Sequence, residues 1–317
     1  IRLPASFTNL FGLRVTTGLI SRTGFSPLLH FQDTPGPMSR TVTDLAQVLD
    51  TVVGYDPADA YTAVAATDPD VGNYRAAVDD VTPDILATLR VGVLTDAFGA
   101  GDDQDQTNSV IADALGRLTD LGVTVVDGVR LDGLAQWVAE TSLYTKRSKQ
   151  DLDAFFGERP SAPAKSIEKI VAAGAFHPLT DLMAEIGAAP DNVDDDPDYL
   201  RGRLRQDEWR RTLIALMAEV GVDFLVYPTV QVPAPTRDDL AAKRWTALDF
   251  PTNTVIASQT SLPAMSIPVG FTETGLPVGM EVLGRQFSER ALLRFARAWE
   301  LATNPRSPAA STISAAV

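Results

Sequence analysis

Few side chains in this sequence can attack, protonate or ligate. There are no cysteines, which removes disulfides, thiolate nucleophiles and Cys-ligated metal sites together. The two histidines, His30 and His177, are far apart and poor in local companions, so they suggest neither a metal site nor a Ser-His-Asp hydrolase. His177 precedes Pro178 at a helix start and His30 lies three residues before Asp33; both read as structural or surface residues. The five lysines are Lys146, Lys149, Lys165, Lys169 and Lys243. The only basic cluster, Arg201, Arg203, Arg205, Arg210 and Arg211, is interleaved with Asp207 and Glu208 at helical spacing and reads as a solvated helix face. No Gly-rich phosphate loop follows a strand.

The elements that would position any site are easier to read. With 317 residues, 45% of them hydrophobic, the chain can bury one large core. No apolar run reaches the roughly 18 residues of a membrane span and no charged-then-apolar leader opens the chain, so a soluble protein is expected. Lys plus Arg total 27 against 41 Asp plus Glu, a net charge of −14, which argues against a nucleic-acid partner. Residues 1–40 read as loops and short strands. A helix follows, with Thr41 and Asp44 as a capping pair and Val42, Leu45, Leu49, Val52 and Val53 at helical spacing up to Gly54. Residues 90–129 read as a βαβ unit, its helical stripe formed by Val110, Ile111, Ala114, Leu115, Leu118 and Leu121. Strands are expected near 91–95, 123–129, 223–227, 264–271 and 277–284. A helical layer or lid is expected over about 132–219, an amphipathic helix over 288–302 and a loose tail over 304–317. Together these predict an α/β fold, a mixed twisted sheet flanked by helices on both faces.

Three blocks carry a resemblance. The opening, IRLPASFTNLFGLRVTTGLISRTGF, supplies Ile1, Arg2, Leu3, Pro4 and Ala5, then Gly12, Leu13, Arg14, Gly18, Ser21, Arg22 and Gly24. The second is FQDTPGPMSRTVTDLAQVLDTVVGYDPAD, and the third is SLPAMSIPVGFTETGLPVGMEVLGRQFSERALLRFARAWE. In order and spacing they resemble the amidase-signature hydrolases, over residues 1–59 and 261–300. That family uses two serines and a lysine, needing no histidine, cysteine, metal or organic cofactor, so none of these is expected here. The resemblance implies that residues 1–317 form the C-terminal portion of a single amidase-signature domain. It also implies that the nucleophilic serine would immediately precede Ile1, with the second serine and the lysine further upstream. On that reading no lysine present is the base, the chain alone is inactive, and an upstream segment packs against an apolar surface near Ile1.

The resemblance also nominates residues. Arg2 would orient the nucleophile's turn, with Asp33 as its buried partner. The substrate pocket would be lined by Phe31, Trp137, Tyr144, Pro228, Thr229, Val230, Thr254, Ala257 and Ser258, although each aromatic also fits ordinary core packing. Hydrolysis of carboxamides, including aryl amides, peptides or carbamates, is the implied activity, in a cytoplasmic protein that can form a homodimer and does not bind membranes. Two other readings stand beside it: the glutaminase subunit of a tRNA-dependent amidotransferase, and a catalytically incomplete fragment that binds without turnover.

Overall fold

The longest apolar runs of the sequence become the centre of one sheet. The computed structural model describes residues 1–306 except Asp68 and Asp70; of the expected tail, 307–317 lie outside the described residues. The strands are β1 (Phe11–Arg14), β2 (Met38–Ser39), β3 (Arg90–Leu94), β4 (Thr124–Val129), β5 (Phe224–Pro228), β6 (Ala264–Phe271) and β7 (Pro277–Leu283). They are ordered β2-β1-β6-β7-β5-β3-β4. β3 runs parallel to β4 and β5, and the remaining pairs are antiparallel, which gives the mixed sheet expected.

Alternation along the strands sends side chains to two cores. Phe224 and Val226 of β5 pack with Leu292, Phe295 and Trp299 of helix Glu289–Thr303 and with Leu45 and Leu49 of helix Val42–Val52. Leu225 and Tyr227 pack with Trp209, Leu213 and Met217 of helix Pro197–Val220 and with Ile256 and Ala257 of helix Thr254–Thr260. Helices therefore cover both faces. Thr41 caps its helix as expected, its hydroxyl accepting from the Asp44 amide at 3.1 Å. In the helix Asp102–Asp120, Ile111, Ala114 and Leu118 are fully buried.

Residues 2–7, read as loop, form a helix too short to show a period, with Pro4 in its first turn. It lies directly on the sheet because two glycines leave room. A Cβ on Gly12 would stand 2.6 Å from Ala5 Cβ, and one on Gly279 would stand 2.7 Å from Ser6 Oγ. Ser6 Oγ in turn accepts a hydrogen bond from the Gly279 amide at 2.9 Å.

The first two sequence blocks are joined by a buried clamp. The Arg22 guanidinium holds both carboxylate oxygens of Asp59, at 2.8 and 2.6 Å, and Ser21 and Thr23 each donate to Asp56 at 2.6 Å. Hydrogen bonds from Arg22 hold the Asp59 carboxyl down at about 2. A carboxylate whose folded pKa is depressed adds stability above its unfolded value and loses it as pH falls through the folded one. Asp59→Asn should therefore destabilise the protein by about 2 kcal/mol at pH 7, and the gap from wild type should close between pH 4 and pH 2. Denaturant melts across that range are the check; a gap that stays constant would show that the clamp is not the titrating element.

Candidate active site

Helix Arg2–Phe7 and helix Thr254–Thr260 meet over the sheet, and between them lies a cavity of about 250 Å3. The second helix is pinned at its start by Asn253, whose Nδ2 donates to Pro228 O at 2.7 Å, at the end of β5, and to Ala97 O at 2.8 Å, in the turn Thr95–Ala97 that follows β3. Its spacing then places Thr254 and Ser258, four residues apart, on the cavity side.

Arg2 is 4% exposed and both terminal nitrogens of its guanidinium are engaged. Nη1 is ion-paired with Glu281 of β7, and Nη2 donates to Thr254 O at 2.7 Å and Ser258 Oγ at 3.1 Å. Arg14, on β1, shares the cavity wall and donates to Val15 O at 3.0 Å, Leu262 O at 3.2 Å and Gln32 O at 2.8 Å. Burial lowers Arg2 to about 9, helped by repulsion from Arg14, and burial lowers Arg14 to about 10. At about 9 and about 10 both arginines remain cations at neutral pH.

Asp33 also lines the cavity but does not pair with Arg2, contrary to expectation. Its Oδ2 accepts from the Leu28 and Leu29 amides at 2.6 and 2.9 Å, and burial raises its carboxyl. The turn at 28–33 folds the carboxylate back onto its own backbone, while Glu281 reaches Arg2 from across the sheet. Burial also raises the Tyr144 phenol; its oxygen accepts from Gln32 Nε2 at 3.0 Å.

Of the nominated residues, the structure thus brings Arg2, Asp33, Tyr144, Thr254 and Ser258 to one cavity. The others lie elsewhere. Trp137 stacks on Trp209 with centroids 6.2 Å apart, capped by the Arg205 guanidinium at 3.5 Å. Phe31 packs beside Tyr199 under the Arg203 guanidinium, 3.6 Å from its ring. Pro228, Thr229 and Val230 are buried at the end of β5, where Thr229 Oγ1 meets Ser266 Oγ at 2.9 Å, and Ala257 is core. For Trp137 and Phe31 this is the packing role that the sequence left open. Arg203 and Arg205 therefore also cap aromatic rings, beyond a purely solvated face.

Arg14, Gln32 and Glu281 were missed. A usable signal existed for two of them: each is the only charged residue inside an otherwise apolar strand, FGLR and PVGMEVL. Charges there must be paired or poised for function.

The cavity can bind and orient but shows no nucleophile–base pair. Ser258 Oγ accepts from a guanidinium and donates to Thr254 O at 3.0 Å, which leaves it without a proton acceptor strong enough to activate it. No lysine or histidine lines it. Lys149 is held by Ala189 O at 3.0 Å and Asp191 at 2.6 Å, and Lys165 by Pro160 O at 2.9 Å. The His30 ring stands edge-on to Tyr61, and His177 is exposed in a turn. Two further cavities adjoin. One, about 580 Å3, is lined by Ile1, Ile20, Phe25, Val48 and Val52, with Phe25 59% exposed. The other, about 550 Å3, shares Leu28 and Tyr144 with the first.

Comparison with known proteins places this geometry. A sequence model described as Amidase matches residues 1–293. A glutamyl-tRNA(Gln) amidotransferase subunit of Myxococcus xanthus (strain DK1622) is 32% identical over 316 residues, covering 95% of this chain and 61% of that protein. Peptide amidase of Stenotrophomonas maltophilia superposes with a TM-score of 0.77 at 30% identity, covering 96% of this chain and 61% of that one. The peptide amidase PAM in complex with the competitive inhibitor chymostatin superposes with a TM-score of 0.78 at 30% identity and the same coverage. The chain spans about 60% of the length of these relatives. No helix among the described residues is long and apolar enough to cross a membrane.

Proposed function

The chain belongs to the amidase family, and from that premise we propose that the protein containing it hydrolyses carboxamides, with residues 1–317 forming the wall that binds and orients the substrate. The observation that carries this reading is the Arg2 cluster, a buried guanidinium held by Glu281, Thr254 and Ser258 at the rim of a cavity. In this reading Arg2 fixes the backbone turn on which a serine nucleophile sits. That serine, a second serine and a neutral lysine come from chain outside residues 1–317. The lysine takes the second serine's proton as that serine takes the nucleophile's, and the attacking oxygen bonds to the carbonyl carbon. Collapse expels the amine with the returned proton, and water then releases the acid. The Arg14 guanidinium, in the cavity wall with only carbonyl and hydroxyl hydrogen-bond partners, favours the negative charge that develops on the carbonyl oxygen. The apolar groove at Ile1, Phe25, Val48 and Val52 is, in the same reading, covered by that additional chain.

The relatives named as amidotransferase subunits support a glutaminase as the second reading. The mostly apolar neighbouring cavity favours the first, because a glutamine side chain is small and polar. A screen of the complete protein against primary amides, anilides and carbamates tests this; turnover of none of them removes the reading. Exhaustive chelation should leave the rate unchanged, since serine and lysine supply nucleophile and proton relay without a metal. Loss of activity restored by a divalent cation would overturn that mechanism.

A further inference from the structure

The helix Thr254–Thr260 divides the two connected cavities. Thr254 and Ser258 face the smaller, while Val255, Ile256 and Gln259 face the larger. At about 550 Å3 the larger falls within the range of small-molecule sites. Its wall is mainly apolar, built from Leu134, Val138, Leu248 and Phe250 beside Val255 and Ile256.

Polar groups interrupt that wall at Asp96, Ser142, Gln231, Asn253 and Gln259, the last 1% exposed. The Gln259 amide touches Thr141 Oγ1 at 2.9 Å, and its Nε2 has no partner. The Thr141 hydroxyl has one proton and also lies 2.7 Å from Trp137 O. Turning the Gln259 amide over would bring Nε2 to the Thr141 hydroxyl and Oε1 to the place Nε2 now occupies. A buried amide group without a partner is costly, so a folded wall that retains one is matched to something that arrives later. The contact behind it is braced. Gln206 Nε2 donates to Thr141 O at 2.9 Å and to Gln32 Oε1 at 3.0 Å, and Gln32 Nε2 donates to Tyr144 Oη at 3.0 Å. This row ends at Tyr144, where the cavities join. The last torsion of a glutamine is soft, so a ligand in the cavity can draw the amide away from the Thr141 hydroxyl while Gln206 keeps its bonds to Thr141 O and Gln32.

We infer that Gln259 is a specificity-determining residue for the amidase activity proposed above, on which this inference rests. It reads a second amide group, carried on an otherwise apolar arm of the substrate remote from the bond that is cut. An amide offers both a donor and an acceptor, so it satisfies whichever end Gln259 presents. A purely hydrocarbon arm fills the cavity but leaves Gln259 unsatisfied, and sites built this way reject the analogue lacking the polar group.

The test uses two ketones in which the carbonyl replaces the scissile amide. They differ only in the arm, one holding an internal amide and the other its trans-alkene isostere. Calorimetry with the complete protein should give about tenfold tighter binding of the amide-bearing ketone. Gln259→Met, with melting temperature checked, should erase the preference. Val138→Phe, which narrows the cavity from another helix, should weaken both ketones while sparing a short-chain ketone. Equal binding of the pair by wild type, or a preference that survives Gln259→Met, overturns the inference. Hydrolysis of the matching diamide is followed in parallel. Turnover without arm preference sinks this inference alone, and arm preference without turnover of any amide sinks the proposed function alone.

Discussion

Replacing Glu281 by glutamine should lower the melting temperature by about 5–10 °C and reduce amide hydrolysis by the complete protein about 100-fold. The first effect follows from burial. Glu281 is 0% exposed and pairs with an arginine 4% exposed, so removing one charge strands the other where water cannot reach it, at about 3–5 kcal/mol. The second follows from position. Arg2 Nη2 ties the start of the chain to Thr254 O and Ser258, and a displacement of about 1 Å at a reacting centre costs on the order of 100-fold. The double variant Arg2→Met/Glu281→Leu separates the two effects. Removing both charges should restore most of the stability, because no ion is left unpaired, while activity stays low. Calorimetric melts and kcat/KM for wild type, Arg2→Met, Glu281→Leu and the double variant form the cycle. A Glu281→Gln protein that melts within a degree of wild type would mean that the pair contributes nothing.

Residues 1–317 on their own should show no amide turnover above the uncatalysed rate. Supplying in trans the chain that bears the two serines and the lysine, or expressing the continuous protein, should restore it. The cavity holds cations, hydroxyls and an Asp33 carboxylate turned onto the Leu28 and Leu29 amides, with no serine–base pair, and the five lysines and two histidines are held elsewhere or face solvent. Changing to alanine the serine placed before Ile1 in this reading should reduce kcat by about 10^4- to 10^6-fold in the complete protein, the loss typical of removing a nucleophile. Steady-state assays on a readily detected anilide would measure it. Turnover by the isolated chain would place the nucleophile within residues 1–317, and Ser258 and His30 would need to be tested in turn.

How far the sequence could be read depended on what each signal encodes. β3, β5, β6 and β7 are continuous apolar runs, and burial on both faces is what such runs require, so they were legible directly. β1 and β2 are four and two residues long, and no periodicity survives at that length. The Arg2 partner was misjudged because the sequence blocks suggested nearness along the chain, while a pair such as Arg2 and Glu281, 279 positions apart, is made only by sheet order. Trp137 and Phe31 were nominated for chemical interest, yet large aromatic area is most simply stabilised inside a core. Gln259, in contrast, drew no attention, since a single glutamine in TVIASQT has an ordinary composition and is unusual only for its surroundings.

The sheet order has a consequence for how the chain comes into being. β3, β4 and β5 occupy consecutive stretches and pair among themselves, so they can assemble as they are made. β1 cannot, because its inner neighbour β6 follows about 250 residues later. At bacterial or eukaryotic rates of synthesis that is a delay of roughly 10–50 s. Throughout it Leu13 and Arg14 lack the strand they pair with, and Arg2 lacks its carboxylate until residue 281 has left the ribosome. Nascent chains arrested before β7 should therefore be protease-sensitive and chaperone-bound in their first 60 residues even where the parallel half is already resistant. Within this stretch, the segment made earlier completes its pairing later.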